Sequence, residues 1–356
     1  MNRRLNRETV DEISRRLADL LAVPANCVSV EHAPSLPGDE SAQADLLVSA
    51  GGFKFAVEWK ASGGAPAAAM SIRSLRRFVE KSREKLIPLV AAPYLGETGQ
   101  RLCMEAEVGW LDLSGNARLV APGLLVSVEG KPNQFKRPGR PSSLFAPKSS
   151  RIARWLLMEP ERAFSQRELA KASGLDEGFT SRIVRQLEAQ QLVLRQARGA
   201  VKAADPAVLL DSWREMYDFS RHRIVRGHIA ARSSDEILRR LSTRFIGDRI
   251  EHAATGLAGA WLLNPFAGFR LVVFYVAQVP SAEAQQAVGF REESHGENVW
   301  LVVPNDEGVF QGAAEHQGVR CAHPVQVYLD LKNHPERSAE AAEQLRQKLL
   351  NQELHA

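Results

Sequence analysis

A multidomain α+β protein is predicted from three observations. The 356 residues exceed what one ordinary hydrophobic core organises, so two or three domains are expected. Period-two apolar segments around Gly51-Gly52, and the apolar run Phe269–Val276, read as strands among amphipathic helical stretches. A segment at 136–148 (KRPGRPSSLFAPK), rich in Pro and in Lys/Arg, reads as a linker. The expected division is therefore 1–135, a linker at 136–148, 149–204 and 205–356.

In the first domain, residues 8–22 and 70–86 carry helical periodicity on either side of a hairpin. The hairpin runs from Ala44 to Val48, turns at Ser49–Gly52 and returns from Phe53 to Lys60. A short strand at 87–92, a helix near 97–107 and an apolar segment at 109–113 follow. The hairpin brings Asp45 beside Glu58, and the alternation of a strand puts Glu58 and Lys60 on one face. Two neighbouring carboxylates suit a hard divalent cation such as Mg²⁺, and an adjacent ammonium can orient or deprotonate a water. That is the geometry of a metal-dependent phosphodiesterase.

These residues resemble the PD-(D/E)xK nuclease superfamily. The resemblance implies a restriction-endonuclease-like α/β domain, with Asp45 and Glu58 as Mg²⁺ ligands and Lys60 as the water-activating catalytic residue. Ala44 stands where that family has Pro, and no Gln/Glu motif is identifiable in the helix after Lys60.

The whole-chain composition, 44% hydrophobic and 25% charged, is that of a globular protein. No signal peptide is expected, and the most apolar stretch, Gly256–Pro280, is interrupted by Asn264-Pro265 and Arg270, which argues against a membrane span. Cys27, Cys103 and Cys321 are an odd number without CxxC spacing, as expected of reduced, buried thiols in a cytoplasm. The nine His residues show no HxxxH or HExxH spacing; Glu315-His316 and His323 read as surface or structural. Charge is uneven. Lys131–Ala203 holds fifteen Lys/Arg against six Asp/Glu, a net +9 in a chain whose total is +4, which points to a localised polyanion contact.

Within that basic region a helix is expected at 149–158, a second from Gln166 capped by Ser165 with Glu168 as its capping box, and a turn at Ser173-Gly174. A third helix, 177–190, turns Ile183, Val184 and Leu187 inward, and 192–202 reads as a two-stranded wing. This is the order of a winged helix-turn-helix, and SQRELAKASGLDEGFTSRIVRQLEAQQLV resembles bacterial winged-helix regulators. Ser181, Arg182 and Arg185 are expected to face double-stranded DNA; Arg195, Arg198 and Lys202 are expected to meet phosphate or the minor groove. Two alternatives stand beside this: arginines that only solvate a helix face, and a winged helix that binds protein. Arg137 and Arg140, in an imperfect likeness of an AT-hook core, either enter a minor groove or belong to an ordinary basic linker.

In the last domain, helices are expected at 235–242 and 253–263, strands at 269–276 and 298–303, a strand beginning at Val309-Phe310, and a closing helix at 336–350. Tyr328 and Leu329 read as core and Asp330 as a cap for the last helix. Thr255–Ala260 and the closing HPVQVYLDLKNHPERSAEAAEQLR resemble the AbiEi family of antitoxins and transcriptional regulators of type IV toxin–antitoxin systems. The resemblance implies an operator-binding regulator that opposes a nucleotidyltransferase-type toxin; the nuclease-like first domain is extra to its simplest pattern. A homodimer is expected of a winged-helix regulator. The alternative function is a Mg²⁺-dependent DNA endonuclease delivered by its winged helix.

Overall fold

Gly51 and Gly52 have φ of +59° and +82°, the left-handed pair that a two-residue hairpin turn requires. In the computed structural model, which describes residues 5–34, 42–135, 143–196, 199–265, 268–293, 295–336 and 338–351, this turn joins β2 (Leu46–Ala50) to β3 (Phe53–Trp59). The register places Ala50 against Phe53 and Leu46 against Val57. The described residues fall in two compact units that divide after Gly139.

The first unit is built on one seven-stranded sheet whose strands lie in sequence order. Strands β1 (Ser29–His32), β2 and β3 form an antiparallel meander; β4 (Ile87–Ala92) and β5 (Gly109–Asp112) continue parallel to β3. An antiparallel hairpin of β6 (Ala117–Ala121) and β7 (Leu124–Val128), not among the strands expected from the sequence, completes the sheet. Helix α1 (Arg7–Leu20), capped by the Asn6 side chain, buries Ile13 and Leu17 against Leu46, Val48, Phe55, Val57, Leu89 and Leu111. The other sheet face, with Leu47, Ala56, Val90 and Trp110, packs on α2 (Ala65–Lys81) through Ala68, Leu75 and Phe78, and on Cys103 of α3 (Glu97–Glu105). Burial of each such large side chain contributes about 1.5–3 kcal/mol. Helix α2 begins five residues before the predicted start because Pro66 occupies its first turn, where a missing N–H costs nothing.

The second unit begins with α4 (Pro147–Met158), α5 (Gln166–Ser173) and α6 (Glu177–Ala189), then an antiparallel ribbon of β8 (Val193–Arg195) and β9 (Val201–Ala203). Helix α7 (Pro206–Met216) leads into a second seven-stranded sheet. In chain order this sheet uses β10 (Arg223–His228), β11 (His252–Thr255), β12 (Val272–Val276), β13 (Arg291–Glu292), β14 (Val299–Val303), β15 (Ala314–His316) and β16 (Val319–Cys321). Across the sheet the order is β13-β10-β14-β12-β11-β16-β15. Helices α8 (Ser234–Gly247), α9 (Gly256–Leu263), α10 (Ala282–Val288), α11 (Pro324–Asp330) and α12 (Ser338–Leu350) surround it. The fold is mixed α+β.

Several sequence expectations change here. The predicted 253–263 helix divides into β11 and α9, because Gly256 takes φ +61° and ends the strand; a Cβ there would meet His334 Nε2 at 2.9 Å. Val309-Phe310 closes a short 3₁₀ turn (Glu307–Phe310) capped by Asp306 instead of opening a strand. Cys27 is exposed, against the expectation of a buried thiol, while Cys103 and Cys321 are buried. No described helix is long and apolar enough to cross a membrane.

Helix α4 is tied to the α+β part of its own unit. Arg151 holds both oxygens of Asp306 at 2.7 Å, and Arg154 Nη2 donates to Gln326 Oε1 at 2.5 Å. At the far end, Arg346 of α12 pairs with Asp211 of α7 at 2.9 Å.

Candidate functional site

The first candidate site stands at the end of the β2–β3 hairpin. Asp45 and Glu58 share the strand phase of Leu47 and Ala56, so both turn toward the α2 side of the sheet. The Asp45 backbone N–H donates to Val57 O at 2.8 Å, and its Oδ2 accepts from Trp59 N at 2.8 Å. Lys60 N donates to Ala91 O, which fixes the chain beyond β3. The Lys60 Nζ then lies 2.6 Å from Glu58 Oε1. Glu58 is only 6% exposed, and its Oε2 is buried with no hydrogen-bond partner among the described residues. Burial pushes the Glu58 carboxyl up to about 6; Lys60 and, more weakly, the Ser74 hydroxyl oppose the shift, and the Asp45 charge adds to it.

Two carboxylates, one with an unmet buried oxygen, fit a Mg²⁺ that keeps several of its waters. Among the described residues no group of three His, Cys, Asp or Glu is placed to hold a metal. Asp112, at the end of β5, is not a third ligand. Its oxygens accept from Gly115 N, Asn116 N, Asn116 Nδ2 and Leu95 N, and it fastens the turn into β6. The chain after Lys60 forms a cleft of about 510 Å³ with Ala61, Gly63, Tyr94 and Phe135 on its walls. Gly63 is needed there, since a Cβ would fall 1.9 Å from Tyr94 O.

The second candidate is the surface of α6. The capping box joins Ser165 Oγ to Glu168 N at 3.2 Å and the Glu168 carboxylate to Ser165 N at 2.8 Å. Gly174 closes α5 at φ +66°, and the Asp176 side chain caps α6 through Phe179 N. Thr180, Ile183, Val184 and Leu187 face inward, which leaves Arg182 and Arg185 exposed on the opposite face and Ser181 half-buried. The Arg182 guanidinium lies 4.9 Å over the Phe179 ring, and Arg185 Nε reaches Ser181 O at 3.4 Å. The ribbon is widened by Phe164, whose backbone pairs with Val201.

Not every predicted contact residue is equally placed. Arg195 is held by Glu188 at 2.8 Å, and that pairing pulls the Glu188 carboxyl below its usual range. Lys202, on β9, is half-buried. Arg137, Arg140 and Arg198 lie outside the described residues.

Sequence reasoning missed a buried polar network in the second unit. Asp330 does not cap the last helix. It ends α11, and its carboxylate accepts from Tyr217 OH, Tyr275 OH, Gln326 Nε2 and Thr255 Oγ1. Burial pushes Asp330 up to about 6 against those four donors, raises both tyrosines well above their ordinary range, and lowers His222 to about 4. The available signal was the four-residue spacing of Gln326 and Asp330, which puts both on one face only once 324–330 is helical.

The family model described as a transcriptional regulator, AbiEi antitoxin of type IV toxin–antitoxin systems, matches residues 202–351, less than half of the chain. No curated protein and no solved structure matches.

Proposed function

We propose that the protein is a sequence-specific double-stranded DNA-binding transcriptional regulator of the AbiEi antitoxin type. In this reading α4 to β9 form a winged helix-turn-helix, with α6 as recognition helix and the β8–β9 ribbon as wing. The observation that carries it is the pair Arg182 and Arg185. They stand three residues apart on the outward face of a helix whose inward face is buried, and no ion pair among the described residues takes either. Arginine at that spacing suits guanine edges and phosphates in a major groove. The family match over residues 202–351 supports the regulatory role and a toxin partner, which the resemblance makes a nucleotidyltransferase. Two copies of the chain on a two-fold operator are the assembly that this reading favours.

The test is a mobility-shift titration of the full chain on duplex DNA from upstream of its own gene. Replacing both arginines, Arg182→Ala and Arg185→Ala, is expected to weaken binding at least about tenfold, with a shallower salt dependence. Unchanged affinity would remove the reading.

A second reading is favoured by the unmet Glu58 Oε2 beside Lys60. Here the first unit is a PD-(D/E)xK-like endonuclease domain in which Asp45 and Glu58 would hold Mg²⁺ and Lys60 would orient or deprotonate a water. A bound Mg²⁺ would supply charge neutralisation at phosphate. Nicking of supercoiled plasmid with Mg²⁺ or Mn²⁺ that disappears in Lys60→Ala is the expected sign of this activity; inert plasmid under both ions removes it.

A further inference from the structure

A buried guanidinium is costly unless its N–H groups and its charge are met. Arg154, on the inward side of α4, is 2% exposed. Its Nη2 donates to Gln326 Oε1, and the group lies 5.1 Å over the Trp213 ring. Its Nε and Nη1 are buried with no hydrogen-bond partner among the described residues. The carboxylate nearest along this bonded chain, Asp330, is one side chain further, beyond Gln326, and already accepts from four donors. Asp306 is taken by Arg151, and Asp218 lies 3.6 Å from Arg221.

Arg154 borders a cavity of about 50 Å³, with Ser150, Trp213, Tyr217, His222, Asn305 and Gln326 also on its walls. That volume holds more than a single water. Arg221 and Asp218, both half-exposed, stand on the solvent side.

We propose that this cavity is a binding site for a small oxyanion, inorganic phosphate or a short carboxylate, with Arg154 supplying the charge and the Asn305 amide a neutral donor. The site lies wholly within the second unit and does not rest on the DNA-binding reading. An anion seated here touches both α4, the first of the three helices that precede the ribbon, and the α+β sheet region.

Thermal unfolding of the full chain tests it, with sodium phosphate or sodium acetate replacing sodium chloride at fixed ionic strength and pH. A saturable rise in Tm of about 3 °C at ten times Kd is expected with at least one anion, and the anion that responds identifies the class. The rise persists when Arg182 and Arg185 are replaced by alanine, and vanishes in Arg154→Met. Should Arg154→Met fail to fold, Ser150→Asp serves instead, because it places a carboxylate one helical turn before Arg154. It is expected to raise Tm without added anion and to abolish the response. The proposal is overturned if neither anion acts, if the rise is linear without saturation as surface exclusion would make it, if it is lost with Arg182 and Arg185, or if it survives Ser150→Asp.

Discussion

Glu58 and Asp330 are both almost fully buried, one in each unit, and burial pushes both up to about 6. Their surroundings differ completely. Glu58 has one oxygen on Lys60 and the other unmet, at the open end of a hairpin. Asp330 has Tyr217, Tyr275 and Gln326 on Oδ1 and Thr255 on Oδ2. The shared shift therefore does not distinguish a reactive carboxylate from a structural one. The count of satisfied lone pairs does, because unmet acceptor capacity in a buried place is what a cation or a water can complete.

The largest effect that sharpens this contrast is on stability. Asp330→Ala leaves two tyrosine hydroxyls, a threonine hydroxyl and a glutamine amide without their acceptor. A loss of about 3 kcal/mol or more is expected in urea unfolding. Glu58→Gln removes a buried charge that Lys60 and the Ser74 hydroxyl only partly offset, and at neutral pH is expected to hold or raise stability, by up to about 2 kcal/mol. Comparable losses from the two would show that Glu58 is as structurally committed as Asp330, and would remove the basis for treating it as a site.

How legible these two places were differs for physical reasons. Asp45, Glu58 and Lys60 lie on a local hairpin, where Gly51-Gly52 and strict alternation determine turn, register and face together. The Ser165–Glu168 capping box and the outward phase of Arg182 and Arg185 are equally local. Around Asp330 the information is long-range: Tyr217 and Tyr275 meet it across more than fifty residues of chain. The helix carrying Asp330 spans only Pro324–Asp330, all of it buried, and a short apolar run has no periodicity that separates helix from strand. Val309-Phe310, in the 3₁₀ turn, is ambiguous for the same reason. Helix α7 and the β6–β7 hairpin are hard to see in the sequence, since neither combines a strong turn signal with a clean one-sided pattern.

A second, smaller effect concerns pH. A carboxyl whose folded pKa is raised binds its proton more tightly when folded, so its stabilising contribution is fullest below the unfolded value near 4.5 and falls as pH rises toward 6. For Glu58 the change across that window is about 2 kcal/mol. His222 and His334, both lowered by burial to about 4, act oppositely, losing stability as pH falls from 6.5 toward 4. The parent profile thus mixes opposing slopes, and the informative quantity is the difference between parent and Glu58→Gln. That difference should grow between pH 4.5 and 6 in favour of the variant and be flat above pH 7. A constant difference at every pH would mean that the Glu58 carboxyl is not displaced.

The smallest stability effect belongs to a carboxylate at the opposite extreme, Glu188, which pairs with Arg195 on the surface. Exposed pairs add little to stability, so Glu188→Ala is expected to leave the melting temperature unchanged within error. If the protein binds DNA as proposed, the consequence appears there instead. Removing Glu188 would release Arg195, beside the proposed recognition face, to meet a phosphate, and each added phosphate contact steepens the dependence of log affinity on log salt by about 1. The variant is therefore expected to bind duplex DNA more tightly at low salt and to lose that advantage as salt rises. Identical salt slopes for parent and variant would place Arg195 away from the nucleic-acid backbone, and would confine the contact surface to α6.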